Sequence, residues 1–221
     1  MKSRALYGLL AGVATIVIAV VSMVCTKDTT TTTVTTKQPQ QAQALLQQQR
    51  NEDSILNIKS QEVMQYTAQK HLHISPVILL IDMSVPSGKY RFFIYNTTTR
   101  TILSQGLTTH GVGSGHNTEH YIEFSNAENS NCTPLGKYII GNSYYGQGGL
   151  RYSLIGLDTS NSKAQKRHII IHTSSFIPNE EQDEPLMQSQ GCPIVSEKFF
   201  AELHQFIESQ KGKKVMLYIF R

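Results

Sequence analysis

The side chains able to do nucleophilic or basic chemistry include three cysteines and eight histidines, and two of them stand in a suggestive spacing. His172 closes the run Arg167-His-Ile-Ile-Ile-His172, and Cys192 follows twenty positions later within Ser189-Gln-Gly-Cys-Pro193. At a strand period of two, His168, Ile170 and His172 share one face while Ile169, Ile171 and Thr173 share the other, which puts His172 at a strand end. Gly191 removes a side chain beside the sulfur, and Pro193 holds Cys192 extended. Attack on an acyl carbon needs a thiolate, and a neighbouring imidazole both takes the thiol proton and returns it to a leaving group. The Gly191 and Cys192 N–H groups are the candidate oxyanion donors, because Pro193 has none to give. Spacing alone leaves two readings open: a nucleophile with its base, or a buried structural cysteine and a core histidine.

The other reactive side chains carry weaker signals. Cys25, Cys132 and Cys192 form no CxxC pair, and an odd count leaves at least one thiol unpaired. Outside the cytoplasm an unpaired thiol needs a reason to persist, and catalysis is one. Cys132 sits in the turn-like Ser130-Asn-Cys-Thr-Pro134 and reads as incidental; a disulfide from it to Cys192 would block the chemistry. His110, His116 and His120 flank a Gly-Ser-Gly loop and read as loop residues, so neither a metal nor a cofactor is expected. Glu180, Glu181, Asp183 and Glu184 crowd one loop between the two candidate groups, which is either simply solvated or attracts the ammonium of an acceptor.

These residues need elements to position them. Met1-Lys-Ser-Arg4 precedes Ala5 to Val24, a stretch without a charged residue and about as long as a bilayer-crossing helix. Lys2 and Arg4 place the N-terminus inside and the body outside; a cleaved signal peptide is the alternative to an uncleaved anchor. Residues 26–75 then read as linker: eight threonines between Thr26 and Thr36 form a tether, and the Gln-rich stretch after it a stalk helix or spacer with irregular apolar spacing. From residue 76 the chain changes to short apolar runs broken by Gly, Asn, Ser and Pro, as in mainly β domains. Strands are expected at Val77 to Met83, Lys89 to Tyr95, Thr101 to Thr108, Lys137 to Gly141, Leu150 to Leu157, His168 to His172 and Val215 to Phe220. One helix is expected, capped by Ser196 and buried through Phe199, Phe200, Leu203, Phe206 and Ile207. Residues 71–221 carry 13 Lys/Arg against 12 Asp/Glu, and a net charge of +1 with no basic face argues against a nucleic-acid partner.

Several blocks together resemble a known family. The sequence IIIHT followed by SQGCP is similar to the active-site motif of L,D-transpeptidases. THGVGSG (109–115), FSN (124–126), PLGKY (134–138), YYGQGG (144–149), SLIGLD (153–158), the spaced Asn161, Ala164 and Arg167, and GCPIVS (191–196) resemble the murein L,D-transpeptidase catalytic-domain-like branch. The resemblance implies an L,D-transpeptidase-like β-sandwich with one packed C-terminal helix over residues 76–221, behind a membrane helix (1–25) and tether (26–75). It implies Cys192 as nucleophile, His172 as base and Thr173 at the place that orients it. His110, Ser125, Asn126, Tyr144 and Arg151 become candidate substrate contacts. The implied activity is acyl transfer on peptidoglycan stem peptides in the cell envelope, facing the periplasm. The departures are Gln190 before Gly191 and Pro193 directly after the cysteine, which bear on donor and acceptor specificity. The rivals are a sortase-like or papain-like cysteine peptidase and a non-catalytic cell-wall-binding module.

Overall fold

The computed structural model describes residues 37–115, 122–210 and 212–221; the segment expected to anchor in the membrane, most of the threonine tract, His116 and His120 lie outside them. Eight strands form one ladder: β1 (Val77–Asp82), β2 (Phe92–Asn96), β3 (Thr101–Gly106), β4 (Gly136–Gly146), β5 (Gly149–Gly156), β6 (Ile170–Thr173), β7 (Ile194–Val195) and β8 (Met216–Phe220). Their order is β3-β2-β1-β8-β4-β5-β6-β7. The last strand is the keystone, pairing parallel with β1 on one edge and antiparallel with β4 on the other. It fuses two meanders into a single mainly β sheet with a packed C-terminal helix, as expected, and the chain after β3 returns to β7, where the Thr109 N–H donates to the Ile194 carbonyl at 3.1 Å.

Side-chain alternation sorts the sheet into two apolar faces. Leu79, Ile81, Phe92, Ile94, Tyr138, Tyr152, Ile171 and Leu217 pack under helix α2 (Glu197–Ser209) through Phe199, Phe200 and Leu203. The α2 N-terminus is capped as its sequence predicts, with the Phe199 N–H donating to the Ser196 hydroxyl at 3.2 Å. The opposite face, made of Ile78, Leu80, Phe93, Tyr95, Met216 and Phe220, packs under helix α1 (Lys37–Gln69) through Leu56 and Val63. Polar contacts tie that seam: Tyr218 donates to Glu62 at 2.9 Å, Glu62 pairs with Lys59 at 2.8 Å, and the Lys137 ammonium lies 4.8 Å from the Tyr218 ring centre. The C-terminal half of the expected stalk is therefore a packed layer. Among the described residues no helix is long and apolar enough to cross a membrane.

Two elements differ from the sequence expectation in ways that shape the site. Strand β4 continues past Gly141 through a register shift between Ile140 and Ser143, and forms a hairpin with β5. A bulge re-aims the residues beyond it, and Gly148, with φ +85°, supplies the left-handed turn position at the tip. Strand β6 starts at Ile170 instead of His168, because His168 has φ +53° and ends the preceding turn. His168 thus does not share the strand face expected for it.

Candidate active site

The site occupies the face opposite α2, at the edge where β5, β6 and β7 end. Tyr152 and Ile171 are partners across β5 and β6, so Arg151 and His172 are the next pair outward on the other face. His172 aligns with Ile194 on parallel β7, and Cys192 precedes that strand by two residues on the same face. Tyr144 pairs with Arg151 across the hairpin. One row therefore runs Tyr144, Arg151, His172, Ile194 across four strands, with Cys192 just outside its end.

Cys192 and His172 line a common cleft of about 680 Å³ with Val112, Gln188 and Ile194. His172 Nδ1 is 3.2 Å from the Thr173 carbonyl oxygen. A carbonyl can only accept, so Nδ1 carries the proton and Nε2 keeps its lone pair for a substrate or thiol proton. Thr173 acts here through its backbone. Burial holds the His172 pKa below its ordinary value, the Thr173 carbonyl opposes this, and the Arg151 charge adds to the lowering. The Cys192 thiol is pushed up by burial, against the Ile170 N–H and the positive charges of Arg167 and Arg151, which favour the thiolate. The resting pair is thus neutral thiol and neutral imidazole. The thiol donates to the His168 carbonyl at 3.5 Å and makes no hydrogen bond to His172 among the described residues; such bonds commonly tighten only once substrate is bound.

The turn carrying Cys192 is gripped from three sides. The Thr109 hydroxyl accepts from Ile194 N–H and donates to the Cys192 carbonyl, both at 3.0 Å. Gly191 has φ +113°, and a Cβ there would stand 2.7 Å from the Cys132 carbonyl oxygen. The Gly191 N–H donates to the Ser189 hydroxyl at 3.0 Å. The Gly191 amide, expected as an oxyanion donor, is thereby engaged within the turn. Cys132 is buried behind the turn with its sulfur on the Ser130 carbonyl, and both thiols are free.

Behind the turn lies a buried polar braid. Arg91, fully buried, donates to the Thr108 carbonyl at 3.0 and 2.8 Å, to the Val85 carbonyl at 3.0 Å and to His110 Nδ1 at 3.1 Å. Burial brings its pKa down to about 9, with Asp82 opposing. Since a guanidinium only donates, the His110 proton sits on Nε2, 3.0 Å from the Gly115 carbonyl. His110, expected as a substrate contact, is bonded within the loop beside the cleft. Of the other expected contacts, the Ser125 carbonyl accepts from Arg167 at 2.7 Å, and the Asn126 amide bonds the Thr159 carbonyl, the Ser162 hydroxyl and the Lys163 N–H. Tyr144 and Arg151 do sit in the row beside His172.

The sequence reading left three participants unassigned. Thr109 and Arg167 lay within the quoted blocks, but neither type announces a role at its position. Arg167 also donates to the Cys132 carbonyl at 2.6 Å and lines a second cleft of about 340 Å³ on the other side of Cys192, with Lys166, His168 and Glu128. Gln188 had no signal at all. The acidic loop is placed elsewhere: Asp183 pairs with Lys89 at 2.9 Å, while Glu180 and Glu181 accept from the Tyr90 hydroxyl and N–H. These carboxylates are bound to the β1–β2 connection and line neither cleft beside Cys192. Among the described residues no group of three His, Cys, Asp or Glu side chains is arranged to hold a metal.

The model of the L,D-transpeptidase catalytic domain family matches residues 47–220. No curated protein matches the chain. Among solved structures it is similar to an L,D-transpeptidase from Xylanimonas cellulosilytica, at 13% identity and a TM-score of 0.41 over 66% of this chain and 61% of that one. An Enterococcus faecium L,D-transpeptidase matches at 13% identity and 0.40, covering 66% and 50%. The helical cell shape determining protein Pgp2 from Campylobacter jejuni matches at 16% identity and 0.38, covering 65% and 46%. The matched part spans roughly half to three-fifths of the length of those proteins.

Proposed function

Because this chain belongs to the family of L,D-transpeptidase catalytic domains, we propose that it transfers acyl groups on peptidoglycan stem peptides with Cys192 as nucleophile and His172 as general base. The observation that carries the reading is the shared cleft, in which His172 Nδ1 is committed to the Thr173 carbonyl and Nε2 is left for the thiol proton. Cys192 attacks the carbonyl between an L-centre and a terminal D-residue; His172 takes the thiol proton and passes it to the departing nitrogen as the C–N bond breaks. The thioester is then relieved by an amine, giving a cross-link or an anchored protein, or by water, giving a carboxypeptidase. With the Gly191 amide engaged by Ser189, the Cys192 N–H is the donor the turn leaves for the oxyanion. Tyr144 and Arg151 are the substrate contacts retained. The segment from Ala5 to Val24 holds the protein in the inner membrane with its body in the periplasm.

Intact-mass analysis of protein extracted from membranes and treated with a carbapenem tests both parts. A single adduct is expected on the wild type and none on Cys192→Ala, while His172→Ala labels about 10²- to 10⁴-fold more slowly. The same spectrum reports whether residues 1–24 are retained. A folded, reduced wild-type protein that takes no adduct leaves the non-catalytic binding module as the reading, and a mass lacking the first 24 residues removes the anchor.

A further inference from the structure

Arg151 lies in the row beside His172 with its polar group not otherwise spent. Its Nε is buried without a hydrogen-bond partner, and its guanidinium makes no hydrogen bond or ion pair among the described residues. The hairpin tip is shaped around it: a Cβ on Gly146 would lie 2.9 Å from Cζ, so glycine there leaves the room the guanidinium occupies. The charge also acts on the reacting groups, since it lowers the pKa of both His172 and Cys192. A buried donor left unpaired costs stability, and a cation held beside a catalytic pair is ready for an anion.

The order of the strands says which anion. Across the row, β7 brings Cys192, β6 brings His172 and β5 brings Arg151. In the proposed reaction the thiol attacks the acyl carbon and His172 protonates the departing nitrogen, so the departing residue extends from His172 away from the sulfur. The carboxylate of a terminal D-residue is one carbon beyond that nitrogen. Directly opposed side chains on neighbouring antiparallel strands stand about 5 Å apart at Cβ, a spacing an arginine fork spans.

We propose that Arg151 is the residue that binds the free terminal carboxylate of the donor stem peptide. This rests on the acyl-transfer reading of the same site. The bidentate fork of arginine matches a carboxylate where a lysine offers only a point charge. A stem carrying one more residue, or a C-terminal amide, lacks the anion at that position and reacts poorly.

Two comparisons on the full chain, with Cys25→Ala and Cys132→Ala as background so that only Cys192 reports, test it. In the first, tetrapeptide stems with a free C-terminal acid and with a C-terminal amide are offered to wild type, Arg151→Ala and Arg151→Lys. The wild type should prefer the acid by about 10- to 100-fold in kcat/KM, the worth of a hydrogen bond to a charged group. Arg151→Ala should lose that preference, and Arg151→Lys should restore part of it. In the second, Cys192 is alkylated with iodoacetate and with iodoacetamide. The ratio of the two rates cancels any change in thiolate fraction, and should fall several-fold in Arg151→Ala. Where peptides are turned over, the acid-to-amide preference decides: retention of the wild-type preference in Arg151→Ala overturns the proposal. Where wild type turns over neither peptide, the acyl-transfer reading fails, and an unchanged alkylation ratio then overturns the anion site as well.

Discussion

At the scale of single residues the site is a neutral pair whose members are pulled in opposite directions by the same burial. Burial disfavours charge on both, lowering His172 and raising Cys192. In the proposed reaction the neutral imidazole is the base, so activity should be lost as pH falls through the His172 pKa. Because that pKa is depressed below 6.5, the acid limb of kcat/KM should have its midpoint below 6.5. Arg151→Ala removes a charge that disfavours the imidazolium, and should move that limb upward. The raised thiol makes a second outcome specific: His172→Ala has no base below the Cys192 pKa, but above it the thiolate forms unaided. The rate ratio of wild type to His172→Ala should therefore shrink as pH rises beyond 9.0, the thiol's ordinary value. A constant ratio across that range would mean that His172 acts only on the leaving group, and a midpoint at or above 6.5 would contradict the buried, Arg151-facing environment.

At the scale of elements, the sequence made some pieces legible and concealed others for identifiable reasons. Helix α2 and strands β1, β5 and β8 were readable because each carries an apolar period or run, with a cap or turn at its ends. Strand β7 has only Ile194 and Val195, too short for any period, yet by pairing Ile194 with His172 it brings Cys192, two residues earlier, to the same edge. The cysteine and histidine were visible by type and spacing, whereas Arg151 became a candidate only through resemblance, because its place depends on the bulge that carries β4 past Gly141. Thr109 was legible only as part of a block, since its role is to hold β7 from outside the sheet. Thr109→Val keeps the volume and deletes both bonds, leaving the buried Ile194 N–H and the Cys192 carbonyl unmatched. A cost of about 1–3 kcal/mol is expected, or very roughly 2–12 °C in Tm for a chain of this size. Labelling of Cys192 by a carbapenem should also slow in Thr109→Val at a temperature where the variant is folded. An unchanged melting curve and labelling rate would show that Pro193 and Gly191 alone fix the turn.

For the whole molecule, the open question is where the folding unit begins. Residues 26–75 read as linker because the visible apolar residues of α1 are irregular, and five of them, Leu45, Leu46, Ile55, Ile58 and Met64, are indeed exposed. The stripe that packs is Leu56, Ser60, Val63 and Thr67, spaced four, three and four, and its second and fourth positions are hydroxyl residues that hide it from a hydrophobicity reading. Each hydroxyl is satisfied within the helix, Ser60 on the Asn57 carbonyl at 2.7 Å and Thr67 on the Met64 carbonyl at 3.0 Å, so both can be buried against the sheet at little cost. Without α1 the fully buried Ile78, Leu80, Phe93 and Met216 would face water. A fragment of residues 76–221 should therefore aggregate or bind a hydrophobic dye, while residues 47–221, the span where the family match begins, should fold. Within the full chain Leu56→Ala should cost about 2–5 kcal/mol as a core truncation, and Ile58→Ala, on the exposed side, within about 0.5 kcal/mol. Chemical denaturation of the pair separates packing from mere helix propensity, because both changes put the same alanine into the same helix two residues apart. Equal losses in the two variants, or a soluble and cooperatively melting 76–221 fragment, would return α1 to the status of a tether.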